Sequence, residues 1–132
     1  MEDFVTYEIA VKLKEKLFKE QCLAYYTKDS NFYYNTSYGS DVENAFKSFN
    51  SRPSHICGKR IDAPIISQVL KWLRETKNIE VVASFSYINK LWGYQVGDMT
   101  LLEDSILSYD YSFPTYEEAA LAGIEYVLYN LI

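Results

Sequence analysis

The chain has 132 residues, 48% hydrophobic and 23% charged, with a formal net charge of −5 at pH 7. That length suits a single domain (1–132) with one core, and the apolar share excludes a chain too polar to bury one. Two cysteines exclude a disulfide scaffold, and no apolar run approaches the roughly 20 residues of a membrane-spanning helix.

The opening Met1-Glu2-Asp3-Phe4 has neither the basic stretch nor the apolar run of a secretory signal, so a cytoplasmic protein with free thiols at Cys22 and Cys57 is expected. Residues 6–18 read as a first helix. Ile9, Leu13 and Leu17 form its stripe with Ala10 beside it, while Glu8, Lys12 and Lys16 face water. Segments 22–27 and 31–37 are rich in aromatic residues and read as a strand pair turning at Lys28-Asp29-Ser30-Asn31. The connector 38–61 is irregular, holding Gly39, Pro53 and Gly58, with at most a short helix at 41–49.

A second helix follows, with Asp62 as its N-cap and Pro64 in its first turn. Ile65, Ile66, Val69, Leu70 and Leu73 form its core face. A strand at 79–87 turns at Asn89-Lys90 into another at 91–96. Leu107, Tyr109, Tyr111 and Phe113 alternate with Ser108, Asp110 and Ser112, marking a third strand at 106–113. The closing helix, about 115–131, begins with Thr115 three residues before Glu118, a capping-box spacing. Its Ala119, Ala120, Ala122 and Gly123 allow close approach to a sheet, and Ile124, Val127, Leu128 and Leu131 supply the stripe.

The chain half-repeats at an offset of 60. Leu13-Lys14-Glu15 aligns with Leu73-Arg74-Glu75, Cys22-Leu23-Ala24-Tyr25 with Val82-Ala83-Ser84-Phe85, Phe32 with Trp92 and Tyr34 with Tyr94. Copies at about 5–37 and 64–97 each read helix, strand, strand. The expected fold is α+β in the order αββ-αβββ-α, with one antiparallel sheet of four to five strands and three helices mainly on one face.

Two blocks carry a resemblance. Ala63-Pro64 followed by Gln68-Val69-Leu70-Lys71-Trp72-Leu73-Arg74-Glu75, together with a closing helix beginning Tyr116-Glu117-Glu118-Ala119, is similar to small uncharacterised proteins of phages and prophages of Bacteroides-type gut bacteria. A strand pair with a lone tryptophan, here Trp92, lies between the blocks as in that family. The resemblance covers residues 62–132 well and the first helix loosely. It implies a phage or mobile-element origin and a bacterial host cytoplasm, and implies no activity. Ile65-Ile66 replaces a commonly more polar pair, and the long middle loop is a further departure.

Charge separates the chain into two parts. All 13 Lys and Arg precede residue 91, whereas residues 96–132 hold seven acids and no base. Such a tail disfavours nucleic acid and membrane and favours a basic partner, the simpler reading being a solvated face. The order helix, three strands, helix at 64–131 matches a double-stranded-RNA-binding domain, but Thr115-Tyr116-Glu117-Glu118 puts acids where that module reaches phosphate.

Among candidate sites, Arg52, Lys59 and Arg60 form the densest basic cluster, around His55 and Cys57. With His55 they suit a phosphate or carboxylate ligand, the alternative function being a small anionic-ligand binder or enzyme. A Cys57–His55 nucleophile lacks an orienting third residue or an oxyanion hole. Asp98, Glu103 and Asp104 lack the glycine and alternation of a calcium loop. Two cysteines and one histidine lack zinc spacing, and the five glycines form no phosphate loop. No catalytic residue, metal or cofactor is therefore assigned. The 22 aromatic residues give the leading reading. Tyr25, Phe32, Tyr34, Trp92 and Tyr94 are expected to cover a sheet face opposite the helices, beside the acidic Asp98, Glu103, Asp104 and Asp110. The expected role is a non-enzymatic interaction module binding a host or phage protein or a second copy of itself.

Overall fold

The computed structural model describes residues 3–34, 60–101 and 105–132, and among them the chain forms three helices and two antiparallel sheets of three strands each. The expected α+β class is present, but not the single four- to five-stranded sheet. The chain divides into two units, Phe4–Ile65 and Ile66–Ile132, the latter also taking Met1–Asp3. The short helix expected at 41–49 and the strand extension at 35–37 lie outside the described residues.

In the first unit, α1 spans Tyr7–Glu15, and Thr6 Oγ1 caps it by accepting from the Ile9 N–H at 3.4 Å. Ile9, Ala10 and Leu13 are buried. The stripe ends there, because Leu17 adopts φ 65°. Its N–H donates to the Lys14 carbonyl at 3.1 Å, and the Phe18 N–H donates to the Leu13 carbonyl at 3.0 Å. This is a Schellman closure, in which the residue after the left-handed one packs back on the helix. Phe18 is consequently buried and Leu17 is 69% exposed, contrary to the expected Ile9–Leu13–Leu17 stripe.

Three short strands follow, β1 (Ala24–Tyr26), β2 (Phe32–Tyr34) and β3 (Ile61–Ala63), in the order β2-β1-β3. Ala24 lies opposite both Tyr34 and Ala63, and Tyr25 opposite both Tyr33 and Asp62. Asp62 is therefore the middle of a strand and 6% exposed, not a helix N-cap. The second edge of β1 is taken by β3, so β1 is the central strand among the described residues. An antiparallel bridge joins Phe4 to Ile65, and the Val5 N–H donates to the Pro64 carbonyl at 3.0 Å.

In the second unit, α2 spans Ile66–Lys77 and buries Ile66, Val69, Leu70, Trp72 and Leu73. The first amide of the helix is satisfied by the Asp3 carbonyl at 3.0 Å. Strands β4 (Ile79–Ser86), β5 (Leu91–Asp98) and β6 (Ile106–Phe113) form a meander in that order. Val81 pairs with Val96 and Phe85 with Trp92, and β5–β6 shifts register at Trp92/Tyr94 and Val96/Gly97. Helix α3 (Tyr116–Asn130) begins where Thr115 Oγ1 accepts from the Glu118 N–H at 3.2 Å. It lays Ala119, Ala120, Gly123, Ile124, Val127 and Leu128 on the sheet. A Cβ on Gly123 would stand 2.6 Å from Val81 Cγ1 and 3.2 Å from Tyr94 Cβ, so this glycine sets how closely helix and sheet approach.

Each unit, taken by itself, repeats some of the other's individual internal contacts. Ile9 and Val69, and Leu13 and Leu73, align at an offset of 60 and are buried. In the first strand the structural offset is 59. Tyr26 meets Phe32 edge-on at 5.3 Å and 63°, and Phe85 meets Trp92 at 5.3 Å and 66°. The turns account for the difference. Thr27 closes on Asn31 with Ser30 at φ 62° in the first hairpin, whereas four residues, 87–90, separate Ser86 from Leu91 in the second. The third strands differ outright, since β3 pairs with the first strand of its hairpin and β6 with the second.

Candidate functional site

Side chains alternate across a strand, so burial reveals which positions face α3. Val81, Tyr94 and Val96 are buried on that side, Tyr94 at 8% exposure. The other side of β4–β5–β6 presents Glu80, Val82 and Ser84 from β4, Gln95 from β5, and Ile106, Tyr109 and Tyr111 from β6. Val82 is 44% exposed, Ile106 57% and Tyr109 70%. One acid, Glu80, is the only charge among these seven side chains.

Tyr111 organises this open face. A Cβ on Gly93 would land in the Tyr111 ring, so the ring lies across the glycine. The register shift at Trp92/Tyr94 brings Tyr111 there by placing an extra residue of β6 opposite Gly93. Its hydroxyl accepts from Gln95 Nε2 at 3.0 Å and lies 3.3 Å from Ser84 Oγ, linking all three strands. Asn89 Nδ2 donates to the Tyr111 carbonyl at 3.1 Å, tying the hairpin turn to the same residue. At the other end Gly97 leaves a hollow of about 160 Å³ lined by Glu80, Val82, Gln95, Ser105 and Ile106. The face mixes aliphatic, aromatic and polar side chains and is braced by polar bonds from within. Its side chains present no paired nucleophile and base.

The expected aromatic face is not assembled as expected. Trp92 and Tyr94 lie on the α3 side: Trp92 meets Tyr116 edge-on at 5.8 Å, and Tyr94 is 6.1 Å from Phe113 and beneath Gly123. Alternation puts them on one face, and their neighbour Val96 draws that face into the core. In the first sheet Phe32 and Tyr34 cluster with Phe4 at 5.2 and 5.9 Å. Tyr26, on the same side, touches Tyr7 of α1 at 5.6 Å and donates its hydroxyl to the Val5 carbonyl at 2.8 Å. Burial, and secondarily Glu8, raises the Tyr26 pKa. Of the three in this sheet, Tyr25 lies on the opposite side from Phe32 and Tyr34, stacked on Tyr33 at 5.7 Å.

Of the basic cluster, Arg52, His55 and Lys59 lie outside the described residues, as does Cys57. Arg60 holds its guanidinium 4.4 Å over the Tyr25 ring, a cation–π contact, and its carbonyl accepts from Lys14 Nζ at 3.1 Å. Cys22 is buried, and desolvation first, then Asp62 and Glu20, push its thiol pKa far up. A thiol so protonated is a poor nucleophile.

The acidic candidates are dispersed. Asp98 accepts from Thr100 Oγ1 at 2.6 Å and from the Thr100 N–H at 2.9 Å, which lower its pKa and close the turn after β5. Asp110 is exposed on β6 opposite Tyr94, and Glu103 and Asp104 lie outside the described residues. Among the described residues no group of three or more His, Cys, Asp or Glu side chains could hold a metal, and no helix is long and apolar enough to cross a membrane.

Sequence reasoning missed Tyr109, Tyr111 and Gly93 as a site. The alternation of 106–113 was the available signal, and a glycine in the neighbouring strand marks where an aromatic ring can lie flat on a sheet. Comparison of the chain with protein-family models, with curated proteins and with solved structures found no match.

Proposed function

We propose that this protein is a non-enzymatic interaction module that binds another protein through the open face of its β4–β5–β6 sheet. The supporting observation is the face itself, with Val82, Ile106 and Tyr109 exposed around a braced Tyr111 and one charge among them. Exposed apolar patches of a few hundred Å² often mark interaction sites. Three strands about 4.8 Å apart, each of eight residues rising about 3.3 Å, offer roughly 380 Å². A stable complex buries about 800 Å² per partner, so the sheet alone supports a transient contact. Tyr87 and Ile88 at the hairpin tip, 78% and 96% exposed, extend the area available.

The resemblance of residues 62–132 to small phage and prophage proteins favours a host or phage protein as partner and the bacterial host cytoplasm as the place of action. A second copy of the chain is the other partner that this reading admits. Light scattering across a concentration series, followed by capture from infected host cells, tests it. Val82→Lys with Tyr109→Ser should abolish dimerisation or capture while circular dichroism stays unchanged. A partner retained undiminished by that double variant would overturn the assignment of this face.

A further inference from the structure

A separate surface lies on the outward side of α3. Over fifteen residues the helix carries three charged side chains, Glu117, Glu118 and Glu125, and no base. A surface helix ordinarily turns a polar face to water. Here the outward positions include Leu121, Ala122, Tyr126 and Tyr129, none of them among the buried residues. Two adjoining hollows of about 450 and 290 Å³ run along this side and meet at Ala122 and Glu125. Phe113, Pro114 and Leu121 line the first, and Tyr126 and Tyr129 line the second.

These two shallow, open hollows form a groove of mixed lining, with Leu121, Tyr126 and Tyr129 beside the carboxylates of Glu118 and Glu125 and a low point at Ala122. Among the described residues neither carboxylate has a basic partner, and residues 96–132 contain no Lys or Arg to neutralise them. Glu118 and Glu125 are seven residues apart, two helical turns or about 10.5 Å along one side of the axis.

The geometry points to a docking groove for a basic amphipathic helix of a partner protein. Two of its Lys or Arg side chains, also seven residues apart, would reach Glu118 and Glu125, and a large apolar residue between them would sit over Ala122. Charge complementarity decides the class of occupant. The Leu121, Tyr126 and Tyr129 side chains ask for a hydrophobic stripe, and the Glu118 and Glu125 carboxylates among them ask for cations. Phosphate-bearing surfaces, nucleic acid or anionic lipid, would be repelled. This surface is distinct from the open sheet face and extends the reading of the protein as an interaction module, so the two can fail separately.

The test titrates the full chain into a fluorescein-labelled 14-residue Leu/Lys peptide of amphipathic heptad order at 50 mM salt. A peptide of the same composition in scrambled order serves as control. Saturable one-to-one binding is expected, at least tenfold tighter than the control and weaker at 500 mM salt. Glu125→Lys should weaken it about tenfold, as should Ala122→Gln, which fills the low point; Val82→Lys on the sheet face should leave it unchanged. Glu125 is exposed, so its reversal tests the groove even if Ala122→Gln disturbs packing. No saturable binding, equal binding of the scrambled peptide, or indifference to Glu125→Lys would overturn the proposal. Loss on Val82→Lys alone would transfer the peptide to the sheet face and likewise overturn it.

Discussion

Leu17 shows how one backbone angle decides which side chains a helix buries. At φ 65° it occupies a conformation that costs an L-residue about 1–2 kcal/mol and glycine little, and its side chain is in solvent. Leu17→Gly should therefore stabilise the fold by about 0.5–1 kcal/mol, seen as a higher urea midpoint at unchanged slope. A lower midpoint would mean that the exposed leucine makes contacts that matter. Cys22 supplies a pH dependence of definite sign. Its pKa is raised in the folded protein, so the associated stability is complete below the thiol's ordinary pKa of about 8.5 and is lost as pH rises above it. Between pH 7 and 9.5 the wild-type chain should lose on the order of 1 kcal/mol. Cys22→Ala, less stable throughout, should lose visibly less over the same interval. Tyr26 acts in the same direction at higher pH, so the comparison stops short of its range.

At the level of elements, the packing of α3 rests on Gly123. Gly123→Ala gains up to about 1 kcal/mol of helix propensity, but its Cβ meets Val81 Cγ1 at 2.6 Å, and overpacking of that kind costs about 1–3 kcal/mol. A net loss of roughly 1–2 kcal/mol in thermal or urea unfolding is expected. Strand β6 ends its sheet, and its Ser108-Tyr109-Asp110-Tyr111-Ser112 reads identically in both directions. Two copies pairing antiparallel about the centre of that stretch would set two Asp110 carboxylates opposite each other, which is unfavourable. Asp110→Thr should therefore raise the apparent mass with concentration in light scattering, and a variant that stays as monodisperse as wild type would refute this guard role. The same strand was legible in the sequence because seven residues of alternation, 107–113, identify it, as Thr115 and Glu118 identified the start of α3. Strand β3 was not, since Ile61-Asp62-Ala63 is too short to show a period and Asp-Ala-Pro mimics a helix start. The side taken by Tyr94 was hidden for another reason. Alternation says which residues share a face, and only the helix packed on Val81 and Val96 says which face is inside.

Across the whole molecule, the two units carry separate reporters. Trp72 and Trp92 belong to Ile66–Ile132, and Cys22 belongs to Phe4–Ile65. Strands of three residues hold the first sheet and strands of eight the second, so the first unit should open at lower urea. In a Cys57→Ser background, alkylation of Cys22 is expected to accelerate before tryptophan fluorescence changes. Coincident transitions would show that the chain unfolds as one. The hairpin turns, three residues against four, have a consequence for transferring knowledge between the copies. Counting letters, Tyr25 corresponds to Phe85; counting pleats, Tyr26 does, and the two answers point to opposite sides of a sheet. A substitution map measured on residues 22–26 has to be carried across at 59, whereas one measured on residues 32–34 is carried at 60. Applied at a single offset, the map would label the stacked ring of Tyr25 as interior and the edge-on pair of Tyr26 as surface.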